Sequence, residues 1–160
     1  MALYIGNEKV SPVIISGDCP VYGVRRDVVS GVFQVPSSNF TFSLPSTVIN
    51  LGDYALYYAF KGSSGLVSVN LSNLTSIMGQ YALGYAFSDC TNLTSVSFSS
   101  LTSTSFGSYT NQFSNMLSGV TGCTVHFPSN LQSAIGSWSD VTNGFGGTNT
   151  TVLFDLPVAT

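Results

Sequence analysis

The sequence predicts a mainly β chain, a short solenoid of parallel strands joined by short helical turns. An attachment or capping segment over residues 1–36 precedes it and a cap over residues 131–160 closes it. Three observations predict this. A unit of 27 residues recurs within the region 37–130, each unit ends in apolar–polar alternation, and the repeat fades at both ends.

The repeat is read most directly from Tyr54-Ala-Leu-Tyr-Tyr-Ala-Phe60, which returns as Tyr81-Ala-Leu-Gly-Tyr-Ala-Phe87 with six of seven positions unchanged. The same offset carries Leu66 to Leu93, Ser68 to Ser95, Val69 to Val96, Leu71 to Phe98 and Leu74 to Leu101, so the likeness spans the whole unit. Backwards, Phe42 and Leu44 fall under Val69 and Leu71, and a partial first unit begins near Phe40. Forwards, Val125 and Phe127 resemble Val96 and Phe98 at an offset of 29, and Phe113 stands in for Phe87 at 26, as expected of an irregular terminal unit.

In chain order, the first 36 residues lack the repeat and hold Arg25-Arg26-Asp27 with most of the charge. They include strand-like stretches at 13–16 and 32–35. This segment reads as an attachment arm that supplies strands to a neighbour, or as a plain cap on the first unit. Within each unit, Leu66-Val-Ser-Val-Asn-Leu71 and Leu93-Thr-Ser-Val-Ser-Phe98 end in the alternation of a half-buried strand. Tyr-Ala-Leu-x-Tyr-Ala-Phe spaces its apolar residues for one or two short helical turns, followed by a polar corner. At the C-terminus, Leu131-Gln-Ser-Ala-Ile-Gly-Ser-Trp138 reads as a short amphipathic helix whose Trp covers the last unit. Gly144-Phe-Gly-Gly147 then reads as a turn, and a final strand runs through Phe154.

Composition narrows the function. Charged residues make up 7% of the 160, with 4 Lys+Arg against 7 Asp+Glu and a net charge of −3, which excludes the basic density that nucleic-acid phosphates require. Ser and Thr form about a quarter of the chain, yet 12% aromatics and a mean hydropathy of +0.33 supply enough apolar surface to fold. No stretch reaches the roughly 18 apolar residues of a membrane span. Glu8 and Lys9 interrupt the place where a secretory signal would put its apolar core. Beyond Arg26 the only Lys or Arg is Lys61, a surface suited to an exposed, extracellular life.

The run Ala86-Phe87-Ser-Asp-Cys90-Thr-Asn-Leu93-Thr-Ser-Val96 resembles the BspA-like leucine-rich repeat family, whose pattern is Ala-Phe, two residues, Cys, two residues, Leu-Thr-Ser-Val. The resemblance covers about residues 40 to 130 and departs in unit length, because the Tyr-Ala-Leu-x-Tyr insertion lengthens each repeat. It implies a microbial surface adhesion or binding module. The opening Leu3-Tyr-Ile-Gly-Asn-Glu-Lys-Val10 is similar to the start of many bacteriophage tail and virion accessory proteins, which implies attachment to other virion proteins through the N-terminal segment, with Tyr4, Arg25 and Arg26 as its contact residues.

Candidate chemistry is sparse. Cys19, Cys90 and Cys123 lack the close pairing of a zinc site. They read as small buried hydrophobes, and a Cys90–Cys123 bridge stays open if neighbouring units bring the thiols together. His126 alternates outward on a strand near Ser129 with no placed acid, so it reads as a surface residue rather than a catalytic one. Asp53 and Asp89 change identity between units and read as solvated corners. Five Asn-x-Ser/Thr sequons, at Asn39, Asn70, Asn73, Asn92 and Asn149, are expected from composition. No cofactor, metal or catalytic residue is expected. Tyr54, Tyr58, Tyr81 and Tyr85 recur and should pack as a ladder, whereas Tyr57 is replaced by Gly84 in the next unit and should be the more exposed ring. Tyr57, Tyr85 and Asp89 are the candidate ligand-binding residues.

The expected function is a non-enzymatic bacteriophage virion protein (tail fibre, head fibre or decoration) that displays its repeats to a host surface protein or glycan. The second reading is a bacterial adhesin at the cell surface or secreted. A symmetric oligomer fits a displayed fibre, although no heptad or collagen-like stretch specifies one.

Overall fold

The computed structural model describes residues 3–5, 8–10, 39–44, 46, 48–108 and 111–158. Its strands are β1 (Leu3–Ile5), β2 (Glu8–Val10), β3 (Phe40–Ser43), β4 (Asn50–Leu51), β5 (Leu66–Asn70), β6 (Ser76–Ile77), β7 (Ser95–Ser97), β8 (Thr124–Pro128) and β9 (Thr151–Leu156). β1 and β2 pair antiparallel, with Tyr4 opposite Lys9. Arg25, Arg26, Cys19 and the strand-like stretches at 13–16 and 32–35 lie outside the described residues. Strands β3, β5, β7, β8 and β9 form one sheet in that order, every pair parallel, and β4 pairs parallel with β6. The fold is mostly strands in parallel sheets with a few short helices.

Alternation in the sequence becomes rows across the larger sheet. Phe42, Val69, Val96, Val125 and Val152 stand opposite one another and face the core. The Phe98 and Phe127 rings stack at 4.9 Å and those of Phe127 and Phe154 at 5.7 Å. Between these rows lie Thr41, Ser68, Ser95, Thr124 and Thr151, then Ser43, Asn70, Ser97, His126 and Leu153, on the opposite face. Parallel sheets are commonly covered on both faces and read as continuous apolar runs. This one keeps a polar face, which is why period two is visible in the sequence.

The segments expected to be helical turns are not helical. Along residues 53–62 the N–H groups of Tyr54, Leu56, Tyr58, Phe60 and Gly62 donate to the carbonyls of Gln80, Ala82, Gly84, Ala86 and Ser88 in the next unit at 2.8–3.1 Å. The intervening N–H groups of Ala55, Tyr57, Ala59 and Lys61 donate three residues back. The result is a ribbon of consecutive β-turns, half of whose donors leave the segment, where an α-helix would retain nearly all of them. Its backbone turns left-handed at every fourth residue, at Tyr54, Tyr58 and Gly62, then at Tyr81, Tyr85 and Asp89. Positive φ of 49–57° at the tyrosines is incompatible with a right-handed helix.

The third ribbon also differs from expectation. Leu83 donates to the carbonyl of Gln112 and Phe87 to that of Met116, so Phe113 takes the place of Leu83, and Leu117 takes that of Phe87. Beyond it, Leu117 donates to the carbonyl of Phe145, and β9 pairs with β8 so that Thr151 faces Thr124 and Phe154 faces Phe127. The C-terminal segment thus extends the main sheet as well as covering its end.

The expected helix is short. A 3-10 turn at Ser129–Leu131 leads into Gln132–Ile135, and a second helix spans Ser139–Thr142. Trp138, half-buried between them, packs edge-on against Phe106 at 5.1 Å. Asp140 is only 8% exposed, and burial raises its carboxyl while the nearby Phe113 N–H opposes that rise.

Candidate functional site

Two adjacent ribbons bring five tyrosines together. Tyr54 stacks on Tyr81 at 5.6 Å and Tyr58 on Tyr85 at 4.8 Å, the ladder expected from their recurrence. Tyr57 stands edge-on between these stacks, 5.3 Å from Tyr54, 4.4 Å from Tyr58, 5.9 Å from Tyr81 and 6.1 Å from Tyr85. All five side chains are half-buried.

Tyr57, expected to be the more exposed ring, falls in the same half-buried range as the four ladder rings. A Cβ at Gly84 would come within 3.0 Å of Tyr57 Cδ2 and 3.1 Å of Tyr81 Cδ1, so the glycine leaves room for the Tyr57 ring to lie across the second unit. Burial, then a hydrogen bond and charge repulsion from Tyr58, push the Tyr57 phenol up to about 12. It stays protonated at neutral pH.

Polar groups border the rings. Asn115 Nδ2 donates to the Tyr85 hydroxyl at 3.0 Å. Lys61 Nζ lies 5.3 Å from the Tyr58 ring centroid and 3.7 Å from Asp89 Oδ2. Asp89 takes a left-handed backbone conformation, and its carboxylate extends over Gly119, where a Cβ would collide with Oδ1. Ser88 Oγ donates to the same carboxylate at 3.3 Å. Of the three candidate binding residues, Tyr57 and Tyr85 thus meet directly, and Asp89 joins them through Lys61. Sequence reasoning missed Lys61 and Asn115 because neither repeats.

Tyrosine at these left-handed positions is not explained by backbone preference. Equivalent turns elsewhere use Gly62, Gly119, Asn115 and Asp89. Each left-handed tyrosine carries a backbone cost, which ring stacking and partial burial oppose. Tyrosine is thereby tolerated, but asparagine or glycine would serve the backbone as well.

No family model, curated protein or solved structure matches the chain.

The remaining titratable groups are dispersed. His126 does have an acid: Asp155 on β9 places both carboxylate oxygens 3.0 Å from Nδ1, correcting its expected isolation. The pair is solvent-accessible, with side chains 27% and 45% exposed. Asp53 accepts the Gln80 N–H at 2.9 Å and so ties one corner to the next.

Asn73 and Asn92 donate to the Leu44 and Ser64 carbonyls at 3.0 and 2.8 Å, giving two sequon asparagines a structural task. Cys90 and Cys123 are buried free thiols. Burial pushes both up to about 12, and Cys90 Sγ donates to the Phe60 carbonyl at 3.0 Å. Among the described residues, no group of three or more His, Cys, Asp or Glu could hold a metal ion, and no helix is long and apolar enough to cross a membrane.

Proposed function

We propose that this chain is a leucine-rich-repeat-type solenoid serving as a non-enzymatic adhesion module on a bacteriophage particle. The five-tyrosine platform is its contact surface for a host-surface glycan or protein. The observation that carries the contact assignment is the presence of tyrosine at four left-handed positions where the same ribbons elsewhere use glycine, asparagine or aspartate. Half-buried phenols offer an apolar face and a polar tip, a combination suited to binding. The solenoid reading is supported by the residue-for-residue pairing of units and by the resemblance of residues 86–96 to the BspA-like pattern.

A low-charge, hydroxyl-rich surface suits multivalent contact, in which copy number rather than single-site affinity provides retention. The N-terminal segment, with Tyr4, Arg25 and Arg26, attaches the module to other virion proteins. The second reading, a bacterial surface adhesin, draws on the same repeat resemblance. Chymotryptic proteomics of purified phage particles beside bacterial envelopes separates the two. Recovery at structural copy number in particles supports the virion reading, and recovery only in envelopes overturns it. Deletion of residues 1–34 should abolish particle incorporation while the repeats stay folded.

A further inference from the structure

We infer that the tyrosine platform is also a site of oxidative cross-linking, at which Tyr58 and Tyr85 couple into a dityrosine that staples two successive units. Their rings are parallel within 16° and 4.8 Å apart, while their Cα atoms belong to segments 27 residues apart in sequence. Tyr54 and Tyr81, at 5.6 Å and 20°, form a second, more widely spaced pair. Tyr57 stands edge-on to all four rings, at 70–89°, without the parallel overlap of the two stacked pairs.

The reaction needs a one-electron oxidant, which a haem peroxidase supplies from hydrogen peroxide. Each of two phenols loses one electron and its hydroxyl proton. The phenoxyl radicals join through ring carbons ortho to oxygen, and the two hydrogens on those carbons move to the oxygens, restoring both phenols. The tyrosine pair loses two hydrogens in total, and one hydrogen peroxide becomes two waters. Holding the reactants in van der Waals contact makes coupling within one molecule faster than coupling between molecules.

The chain has a use for such a bond. Cys90 and Cys123 are buried free thiols, so neither supplies a covalent tie between units. A cross-link closing a 27-residue loop would restrict the unfolded chain in the way a disulfide does.

The test treats the full-length protein with a haem peroxidase and hydrogen peroxide, isolates the monomer, and reads dityrosine fluorescence, intact mass and cross-linked peptides. The expected result is a monomer lighter by two hydrogens, with Tyr58 linked to Tyr85 as the main product among the eight tyrosines. The variant Y58F/Y81F keeps the stacked rings and should lower monomer dityrosine at least about ten-fold, whereas Y4F/Y22F/Y109F should leave it unchanged. Absence of dityrosine in the monomer, equal linkage through Tyr4, Tyr22 or Tyr109, or full yield from Y58F/Y81F overturns the proposal. This readout is independent of whether the platform binds a host surface.

Discussion

The Tyr57 ring occupies space that a side chain at Gly84 would need, with the missing Cβ placed 3.0 Å from Tyr57 Cδ2. The two residues hold the same position in successive units, so one unit's large residue sets its neighbour's small one. A similar relation joins Asp89 to Gly119, where the carboxylate covers the glycine. Neighbouring units are complementary at these points rather than identical.

Gly84→Ala should therefore lower stability by about 1 kcal/mol through overpacking. In a Tyr57→Ala background the same change should cost less, because one of the two obstructing rings is gone while Tyr81 Cδ1 still lies 3.1 Å from the added Cβ. Urea unfolding of the four-protein cycle measures the coupling. Equal costs in both backgrounds would mean that the ring and the glycine are not in contact.

Asp140 gives a pH dependence whose sign is fixed. Burial raises its carboxyl above the usual range, opposed by the Phe113 N–H. A carboxyl raised in the folded state favours folding when protonated. Its contribution is full below the unfolded value and is lost as pH rises through the folded one. Asp140→Asn removes the charge from this buried position, so it should raise stability at neutral pH and flatten the acid limb. Asp140→Ala removes the same charge together with the packing of a buried side chain, so it should flatten the acid limb without the gain at neutral pH. Urea denaturation from acid to neutral pH distinguishes the two variants.

The strands were legible and the ribbons between them were not. Val69 and Val96 recur within alternating segments, so their pairing followed from period two and the 27-residue offset. Ala55, Leu56, Ala59 and Phe60 have the spacing of a helical face, and residue type alone does not reveal that Tyr54 and Tyr58 turn left-handed. Gly62, Asn115 and Gly119 carried part of that signal, since glycine and asparagine favour such turns. The final pairing was also readable, because Thr124-Val-His-Phe127 returns as Thr151-Val-Leu-Phe154, 27 residues on. Among the candidate site residues, the replacement of Tyr57 by Gly84 also marks close packing between units, which residue identity alone did not reveal.

Cys90 and Cys123 should be inert in the folded protein. Their thiols are pushed up to about 12 by burial, leaving almost no thiolate at neutral pH. In a Cys19→Ser variant, an aromatic disulfide reagent should label neither thiol until denaturant is added, after which two should react. Fast labelling of the native variant would contradict the burial of these residues.

Binding to isolated bacterial envelopes, measured for the full-length protein beside Tyr57→Ala and the double variant Tyr58→Asn, Tyr85→Asn, tests the platform most directly. Asparagine suits the left-handed backbone, so the double variant should keep a melting temperature close to that of the parent. Both variants should bind at least about ten-fold more weakly, a loss of about 1.4 kcal/mol. Unchanged binding by folded variants would contradict the assignment of the tyrosines as the contact surface.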